Sequence, residues 1–599
     1  MHGVSGRSPQ DFGVSHGSGN GIAGRRVLFG SLLALTIAAL LGLAGYALSA
    51  DGIGVADVLL LLCFAAILPW TVIGFWNAVI GFSVMRFARD PIASVVPSAA
   101  GVAADDPINA SVAIAMFVRN EAPDRVIRNL DAMLRELDAA GAAKSLHLYI
   151  LSDTSRADIG ALEQAGFDAL AAQWRDRIPV TYRRRAENTA FKAGNFWDFC
   201  ERWGGQHDFA VTLDTDSFMS AAAILRLVRV IQADARLGIL QGLIVGLPST
   251  SAFARIFQFG MRLGMRSWTV GSAWWQADCG PYWGHNAVIR LKPFIEHCRL
   301  PVLPGKGVLS GHVLSHDQVE AALMRRAGYD VRVLPEEDLG WEENPPTLLE
   351  FLRRDQRWCQ GNLQYGPFLS MPGLKFVSRF QLAFAMLMFL SSPAWIGLLL
   401  FSTLALAFSG PTAQFIRPGP GHALLTIVLV MWFAPKIATA LDVLTRSSQR
   451  RSFGGAMRFL LGFVLDAVFT ILLLPIMWLC HTIFIIGMPF GRSIGWAGQV
   501  RDDHGVPWSQ AARQLWLHTA IGLGAIVLLA ATHPAAIPYA LLLAGGPALS
   551  IPFAVVTALP GVGRVLTRIG LGRLPEETEP PIALKTLALP ALAGAAPAA

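Results

Sequence analysis

Long apolar runs near both ends of the chain enclose a central polar region. Residues 27–49 and 55–82 contain no Lys or Arg. Each run is long enough to cross a hydrocarbon core of about 30 Å as a helix. Further apolar runs cover residues 380–408, 422–444, 459–486, 516–532 and 537–559. The pattern predicts a membrane hairpin over 27–85, a polar domain over 100–375 and a membrane channel region over 380–559.

Basic residues beside these runs predict their orientation. Arg25 and Arg26 precede the first run, Arg86 and Arg89 follow the second, and the short connection between the two runs has no basic residue. Cytoplasmic loops are enriched in Lys and Arg, so the polar domain and the tail over 560–599 are predicted to be cytoplasmic. An even number of crossings is then required, and we expect about eight.

The run over 459–486 is the ambiguous one. It contains Asp466 and Pro475, and it is long for one span but short for two. One span with a re-entrant piece and a tight pair of short crossings both fit it. By contrast, residues 1–26 are Gly- and Ser-rich at their start and are predicted to be a disordered cytoplasmic segment.

Composition supports a mixed molecule. The 599 residues have 15% charged side chains and a mean hydropathy of +0.46. That is too apolar for a soluble enzyme and too charged for a bundle of membrane helices alone. Much of the arginine lies beside apolar runs, which suits anionic lipid headgroups rather than nucleic acid. The six cysteines lack CxxC spacing, which argues against a zinc site and a disulfide framework.

The polar region alternates between strand and helix patterns. Residues 112–118, 146–151 and 209–213 are predicted strands, and 124–137 has helical spacing. Acidic residues stand where the later strands end. An open α/β sheet binds ligands at the carboxyl edge of its strands, so we expect a site there.

Two carboxylates one residue apart make the strongest chemical signal. Asp214 and Asp216 follow the apolar run 209–213 directly. Side chains at i and i+2 share a face, and such a pair suits Mg²⁺ or Mn²⁺ held against a diphosphate. A solvated Asp-rich turn is the alternative, and the buried strand before the pair argues against it.

Weaker candidates precede this pair. Asn120 and Glu121 follow the first strand and could contact a nucleotide base or ribose, or could only cap a helix. Asp153 ends the second strand, where a helix cap is the alternative, and no Gly-rich dinucleotide fingerprint accompanies it. Lys192 could neutralise a phosphate that Gly194 lets the backbone approach.

Further candidate residues follow the pair Asp214 and Asp216 in the sequence. Asp317 is a candidate general base, or a helix cap. Arg357 could stabilise a leaving diphosphate, and Trp358 could stack on a sugar or lie at the membrane boundary. Two more tryptophans could form platforms for carbohydrate or fill a core: Trp275 and Trp283.

In this order, the motifs resemble those of the processive family 2 glycosyltransferases, which include cellulose and hyaluronan synthases. Asp214-Thr215-Asp216 matches the DxD motif, Asp153 the uridine-binding Asp, and Lys192–Asn195 the KAGN segment. Ser315-His316-Asp317 keeps only the Asp of the TED motif. Arg354–Trp358 matches QxxRW with Arg in place of the leading Gln.

These departures are similar to the glucosyltransferase H family, which builds the backbone of osmoregulated periplasmic glucans. The resemblance covers about residues 100–510 and includes Tyr282–Asn286, Arg357–Asn362 and Gly491–Trp508. It implies a GT-A-type domain inserted among membrane helices of the bacterial inner membrane. The segment near 488–512 would be a gating loop.

The resemblance also implies an activity and a set of roles. UDP-glucose would be the donor, and a mainly β-1,2-linked glucan would be exported to the periplasm. Asp317 would be the base, and the acceptor would lie against Trp275, Trp283, His316 and Trp358. The resemblance also suggests acyl carrier protein and periplasmic glucan-processing proteins as partners. A β-1,4- or β-1,3-glucan synthase and a catalytically dead UDP-sugar sensor are the alternatives.

Overall fold

An α/β domain stands on a bundle of apolar helices. The computed structural model describes residues 16–409, 415–495 and 501–587. The strands are β1 Val112–Val118, β2 Leu146–Ser152, β3 Val180–Arg184, β4 Phe209–Asp214, β5 Ser217–Phe218, β6 Leu237–Gly242, β7 Val245–Gly246, β8 Ala287–Arg290, β9 Asp330–Leu334 and β10 Trp341–Glu342. The predicted strands over 112–118, 146–151 and 209–213 are confirmed to within one residue.

The helices fall into two groups, those of the domain and those of the bundle. They are α1 His16–Leu48, α2 Val55–Phe87, α3 Pro91–Val95, α4 Pro123–Ala139, α5 Ala157–Trp174, α6 Phe191–Trp203, α7 Ala221–Ala233, α8 Ala252–Gln276, α9 Leu291–His297, α10 Asp317–Arg326, α11 Leu348–Leu363, α12 Phe376–Leu390, α13 Ser392–Phe408, α14 Pro418–Thr445, α15 Ser447–Ser452, α16 Ala456–Gly487, α17 Trp508–Thr532, α18 Ile537–Ala548, α19 Ser550–Thr557, α20 Pro560–Ile569, α21 Pro575–Thr578 and α22 Ile582–Thr586.

The main sheet has seven strands in the order β3-β2-β1-β4-β8-β6-β9. β8 runs antiparallel to both of its neighbours, and every other pairing in this sheet is parallel. β1 is buried along its whole length, as expected for a strand covered by helices on both faces. A second sheet, β5-β10-β7, lies beyond the carboxyl end of β4. This is the α/β architecture that the alternating pattern predicts.

Long helix α8 joins the domain to the bundle. It packs against α2 at glycines: a Cβ on Gly81 would lie 1.8 Å from the Ser267 carbonyl oxygen, and one on Gly271 would lie 1.9 Å from that of Asn77. Only glycine permits such close backbone contact. The domain is therefore held rigidly on the hairpin α1–α2.

The described residues contain six helical segments that are long and apolar enough to cross a membrane, or seven if the bent pair α18–α19 is one span. The expected count of eight is not found. The ambiguous run over 459–486 is one continuous helix, α16, with Pro475 inside it. Of the two alternatives left open for this run, the tight pair of short crossings is therefore excluded.

The predicted disorder over 1–26 is wrong from His16 onward, where α1 begins, while residues 1–15 lie outside the described part. Composition misled because tertiary contacts stabilise this helix end. Arg25 Nη1 donates to the Ser94 carbonyl at 3.0 Å, and Arg26 Nη2 donates to the Gln276 carbonyl at 2.7 Å.

The C-terminal tail is docked on the domain as far as residue 587; residues 588–599 lie outside the described part. Glu577 pairs with Arg255 of α8 at 2.8 Å, and Glu576 pairs with Arg262 at 2.8 Å. Trp341 Nε1 also donates to Glu576, at 3.2 Å. All of these side chains are buried, so the tail is part of the folded domain.

Candidate active site

The two aspartates lie where the main sheet meets the small one. Asp214 is the last residue of β4, and Asp216 lies in the turn before β5. The Ser217 hydroxyl closes this turn, since it accepts from the Asp214 amide and donates to the Asp214 carbonyl, both at 2.9 Å. Both carboxylates are partly exposed and stay open to a ligand.

Lys192 reaches Asp214 from the start of α6. Its Nζ lies 2.5 Å from Asp214 Oδ1. The preceding turn is strained, because Ala190 and Phe191 have φ of 58° and 52°. Such left-handed non-glycine residues cost on the order of 1 kcal/mol each and cluster at functional sites. Gly194 permits the turn, since a Cβ there would lie 2.1 Å from the Thr189 carbonyl oxygen.

Arg501 occupies the space beside the second aspartate. Its Nη1 lies 3.0 Å from Asp216 Oδ2, and its Nη2 lies 3.0 Å from Glu121 Oε1. Burial alone would raise the pKa of Asp216. The charges of Arg501, His285 and Arg354 outweigh burial and hold that pKa well below its usual value. Asp216 is therefore an anion at any physiological pH.

Asp317 lies on the other side of Lys192. Gly284, with φ of +85°, faces three side chains at once. A Cβ built on it would lie 3.6 Å from Asp317 Cβ, 3.7 Å from Lys192 Nζ and 3.8 Å from His316 Cε1. Gly284 therefore lies close to both the candidate base and the lysine that contacts Asp214.

Burial raises the pKa of Asp317, and the neighbouring His316 opposes that rise. His316 Nδ1 lies 2.8 Å from Glu320 Oε2. Burial would lower the pKa of His316, but the Glu320 carboxylate more than offsets this and raises it. A protonated His316 thus favours the ionised form of Asp317, the form that can accept a proton.

Helix α11 supplies a cationic face. Arg354 donates to Glu342 Oε1 at 3.2 Å, and its guanidinium lies 4.6 Å from the ring centre of the half-exposed Trp358. Burial, together with the positive charge of Arg354, lowers the pKa of Arg357 to about 10. Asp216 acts on Arg357 in the opposite direction, which places Arg357 within electrostatic range of the aspartates.

The residues at the carboxyl ends of β1 and β2 form another side of the candidate site. Asn120, with φ of 54°, accepts at Oδ1 from the amides of Ser155 and Arg156, both at 3.1 Å. Asp153 is buried and accepts hydrogen bonds from Arg185 Nε at 2.7 Å and from Arg185 Nη2 at 2.8 Å. These two polar residues shape the loop edges, and the donor-binding roles suggested for them stay predictions.

The two other predicted tryptophans lie apart from each other. Trp275 is buried among helices, where it stacks on Phe29 with ring centres 4.2 Å apart and donates to Asn77 at 2.9 Å. Its indole therefore packs between helices, and the acceptor-binding role suggested for it stays a prediction. Trp283 precedes Gly284, and its amide donates to the buried Gln241 at 2.8 Å.

Three residues at this site were not singled out as site residues from sequence. Glu342 joins it because β10 pairs with β5, which places Glu342 opposite Ser217. Burial raises its pKa against the opposing charges of His285 and Arg354. Arg501 lies in the segment Gly491–Trp508, which the resemblance singled out as a loop without giving this residue a role. The tertiary fold brings Arg501 to Asp216 and Arg185 to Asp153.

The described residues contain no group of three or more His, Cys, Asp or Glu side chains that could hold a metal ion by themselves. Two carboxylates nevertheless suit Mg²⁺, which commonly binds one or two of them and completes its shell with water and substrate phosphates. Each aspartate already has a cationic group against it, Lys192 or Arg501. The pair therefore fits a cation that arrives with a diphosphate.

Comparison with known proteins agrees with this geometry. A family model described as "Glycosyl transferase family group 2" matches residues 209–441, from β4 to α14. The sheet, the paired carboxylates and the apolar bundle define a membrane-inserted family 2 glycosyltransferase with a GT-A-type domain.

Named relatives narrow this class. Glucans biosynthesis glucosyltransferase H of Pseudomonas paraeruginosa is 36% identical over 543 residues, which cover 88% of this chain and 62% of that protein. The protein of the same name from Ralstonia nicotianae is 35% identical over 577 residues, covering 94% and 66%. Over most of its length, the chain is similar to proteins named glucans biosynthesis glucosyltransferase H. It spans about two thirds or less of the length of these relatives.

One solved structure is a mannosyltransferase from Pyrobaculum calidifontis in complex with GDP-mannose and Mn²⁺. It covers 65% of this chain and 99% of its own, with a TM-score of 0.42 and 17% sequence identity. A likeness of this extent does not bear on the chemistry of the chain.

Proposed function

We propose that the chain is an inverting, processive glucosyltransferase that uses UDP-glucose to extend a β-glucan, the β-1,2-linked backbone of osmoregulated periplasmic glucans. One observation carries the proposal. Asp317, a candidate base, and Lys192, which contacts Asp214, both lie close to Gly284. A base for the acceptor and a cation for the donor phosphates are thus neighbours.

The proposed chemistry is a single displacement. Asp317 accepts the proton of the acceptor hydroxyl as its oxygen attacks the anomeric carbon, and the bond from that carbon to the diphosphate oxygen breaks. Lys192 and Arg357 offset the negative charge on the departing UDP. Attack from the opposite face turns the α-linked donor into a β-linkage.

A divalent cation, Mg²⁺ or Mn²⁺, would be held by Asp214 and Asp216 and would neutralise charge on the diphosphate. Arg501 contacts Asp216 at 3.0 Å and would have to move or share that carboxylate when the cation is bound. Trp283, next to Gly284, and Trp358, beside Arg354, would offer aromatic faces for the sugar acceptor.

We place the domain in the cytoplasm of a bacterial inner membrane, because basic residues flank the apolar runs on its side. Arg446 follows α14 and donates to the Met85 carbonyl near the end of α2, at 3.3 Å. Arg501 follows α16 and reaches Asp216. Both ends of α16 therefore lie on the side of the domain, so we infer that α16 lies along the membrane boundary.

Six crossings follow if α18 and α19 form one bent span. The others are α1, α2, α12 with α13, α14 and α17. An even count returns the tail to the side of the domain, where Glu577 meets Arg255. The bundle would then carry the growing glucan outward.

The test is turnover of radiolabelled UDP-glucose in proteoliposomes, with Mg²⁺ or with EDTA, followed by linkage analysis of the polymer. We expect a metal-dependent β-1,2-glucan that Asp214→Ala abolishes. Exposed Asp168→Ala is the matched control and should retain full turnover. Another linkage would keep the enzyme class and overturn the product. UDP-glucose binding without any polymer would instead indicate a sugar-nucleotide sensor.

A further inference from the structure

A cavity of about 690 Å³ lies beside α11, where Leu349, Leu352 and Arg353 line it. The candidate site residues Lys192, Asp214, Asp216, Asp317 and Arg357 do not line it. The cavity is therefore separate from the candidate active site.

Three exposed arginines come from three different elements to this cavity: Arg353 of α11, Arg492 after α16, and Arg513 of α17. Its described lining contains no Asp or Glu. Arg353 lies 3.5 Å from Glu350. Within the described part of the chain, Arg492 and Arg513 have no carboxylate within the 4.0 Å of an ion pair. The described lining of the cavity thus has a net positive charge.

The remaining walls are largely apolar. Leu349, Leu352 and Ile483 line the cavity, and Trp516 borders it while 62% exposed. Trp516 lies two to three turns into α17, an apolar helix long enough to cross a membrane. Tryptophan at such a position is typical of the headgroup level. The arginines can bind an anionic group, and the apolar wall beside them lies at the membrane boundary. This combination suits a molecule that has both an anionic headgroup and an apolar chain.

We propose that this cavity binds the phosphate headgroup of an anionic phospholipid, with its acyl chain along Ile483 and Trp516. The site joins α11 to the loop after α16. The Ile494 amide donates to Gln360 Oε1 of α11 at 2.9 Å, and Gln356 Nε2 lies 3.0 Å from Cys480 Sγ. A bound headgroup would hold the start of the loop whose Arg501 reaches Asp216.

Binding is tested with the full chain in phosphatidylcholine vesicles that contain either brominated phosphatidylglycerol or brominated phosphatidylcholine. The signal is the quenching of Trp516 fluorescence. It is obtained by subtracting the fluorescence of the Trp516→Phe variant from that of the wild type. We expect stronger quenching by the anionic lipid. Arg492→Gln with Arg513→Gln should reduce that preference about 5-fold or more, because one basic residue near an anionic surface contributes a factor of about 5.

Exposed arginines Arg564 and Arg568 of α20 supply the control, since neither lines the cavity. Their double Gln variant should keep the lipid preference. Equal preference in the wild type and in the Arg492/Arg513 variant would overturn the proposal. Inorganic phosphate that abolished the quenching would also overturn it, in favour of a soluble anion. Unchanged UDP-glucose binding would show that the variants are folded.

An activity arm rests on the proposed function. Anionic vesicles should increase glucan synthesis several-fold over phosphatidylcholine vesicles, and the Arg492/Arg513 variant should lose the increase. Absence of synthesis in both kinds of vesicle would count against the proposed function and leave the binding result intact. Equal synthesis in both would overturn the coupling of the lipid to the loop.

Discussion

Arg501 Nη1 lies 3.0 Å from Asp216 Oδ2, although 285 positions separate the two residues in the chain. The same guanidinium donates to Glu121 at 3.0 Å and to the Thr215 hydroxyl at 3.4 Å. A cationic side chain thus stands against a carboxylate proposed to bind a metal ion. Arginine and metal would compete for the Asp216 oxygen, which leads to the first prediction.

Arg501→Gln should strengthen the binding of Mn²⁺ in the absence of nucleotide. The substitution removes a charge that the metal must displace, and we expect a Kd about 10-fold lower, equivalent to about 1.4 kcal/mol. Mn²⁺ titration followed by electron paramagnetic resonance measures the Kd directly. Arg156→Gln removes an arginine from an exposed pair with Asp158 and should leave the Kd unchanged. An unaltered Kd in Arg501→Gln would show that the arginine and the metal do not compete.

Asp317→Asn should abolish glucosyl transfer but leave the binding of the donor, UDP-glucose, nearly unchanged. The amide keeps the shape of the side chain but cannot accept the acceptor proton, so kcat should fall about 10²- to 10⁴-fold. The Kd for UDP-glucose, measured by calorimetry, should change less than about 3-fold, since the carboxylate faces the acceptor side of Lys192. Turnover near that of the wild type would refute the role of Asp317 as base.

His316→Gln should move the acid limb of the pH profile to higher pH. Asp317 must be ionised to act, so activity rises as pH increases through its pKa. Burial already raises that pKa, and the charge of His316 opposes the rise. Loss of the imidazolium should therefore raise the pKa of Asp317 further, by about one unit. A profile of kcat/KM against pH measures the shift.

The exposed His297, paired with Glu296 at 3.7 Å, provides the control for that experiment. His297→Gln should leave the acid limb in place. If His316→Gln lowered kcat/KM equally at every pH, the role of His316 would be packing rather than electrostatic.

Local sequence patterns were sufficient to predict the elements that carry the aspartates. The apolar run of β4 followed by two carboxylates predicted both the strand and its exposed end, because a covered parallel strand is apolar throughout. The helical spacing over 124–137 likewise corresponds to α4. These features depend on neighbours in sequence, which a pattern can report.

Contacts between distant segments could not be read in the same way. Aromatic density suggested that Trp275 meets a sugar, but its partners Phe29 and Asn77 lie about 200 or more positions away. Length and hydropathy are also equal for a helix that crosses a membrane and one that lies along it. The expected count of eight crossings was therefore not found, since residues 459–486 lie in the single helix α16.

The docked tail gives the final prediction. Arg255 and Glu577 form a buried pair at 2.8 Å. Removal of one partner leaves an uncompensated charge, so Glu577→Leu should lower the free energy of unfolding by about 3–5 kcal/mol. Replacement of both, Arg255→Met with Glu577→Leu, should recover most of that loss, because neither charge is then buried alone. The apparent Tm in detergent, read from intrinsic fluorescence, reports both effects.

Glu579 supplies the matched control, since it is exposed in the same segment. Glu579→Leu should leave the apparent Tm within about a degree of the wild type, as expected for a surface position. If the double variant were as unstable as the sum of the two single variants, the pair would not act as a unit. Coupling between them would instead show that the tail is fastened to α8 by this ion pair.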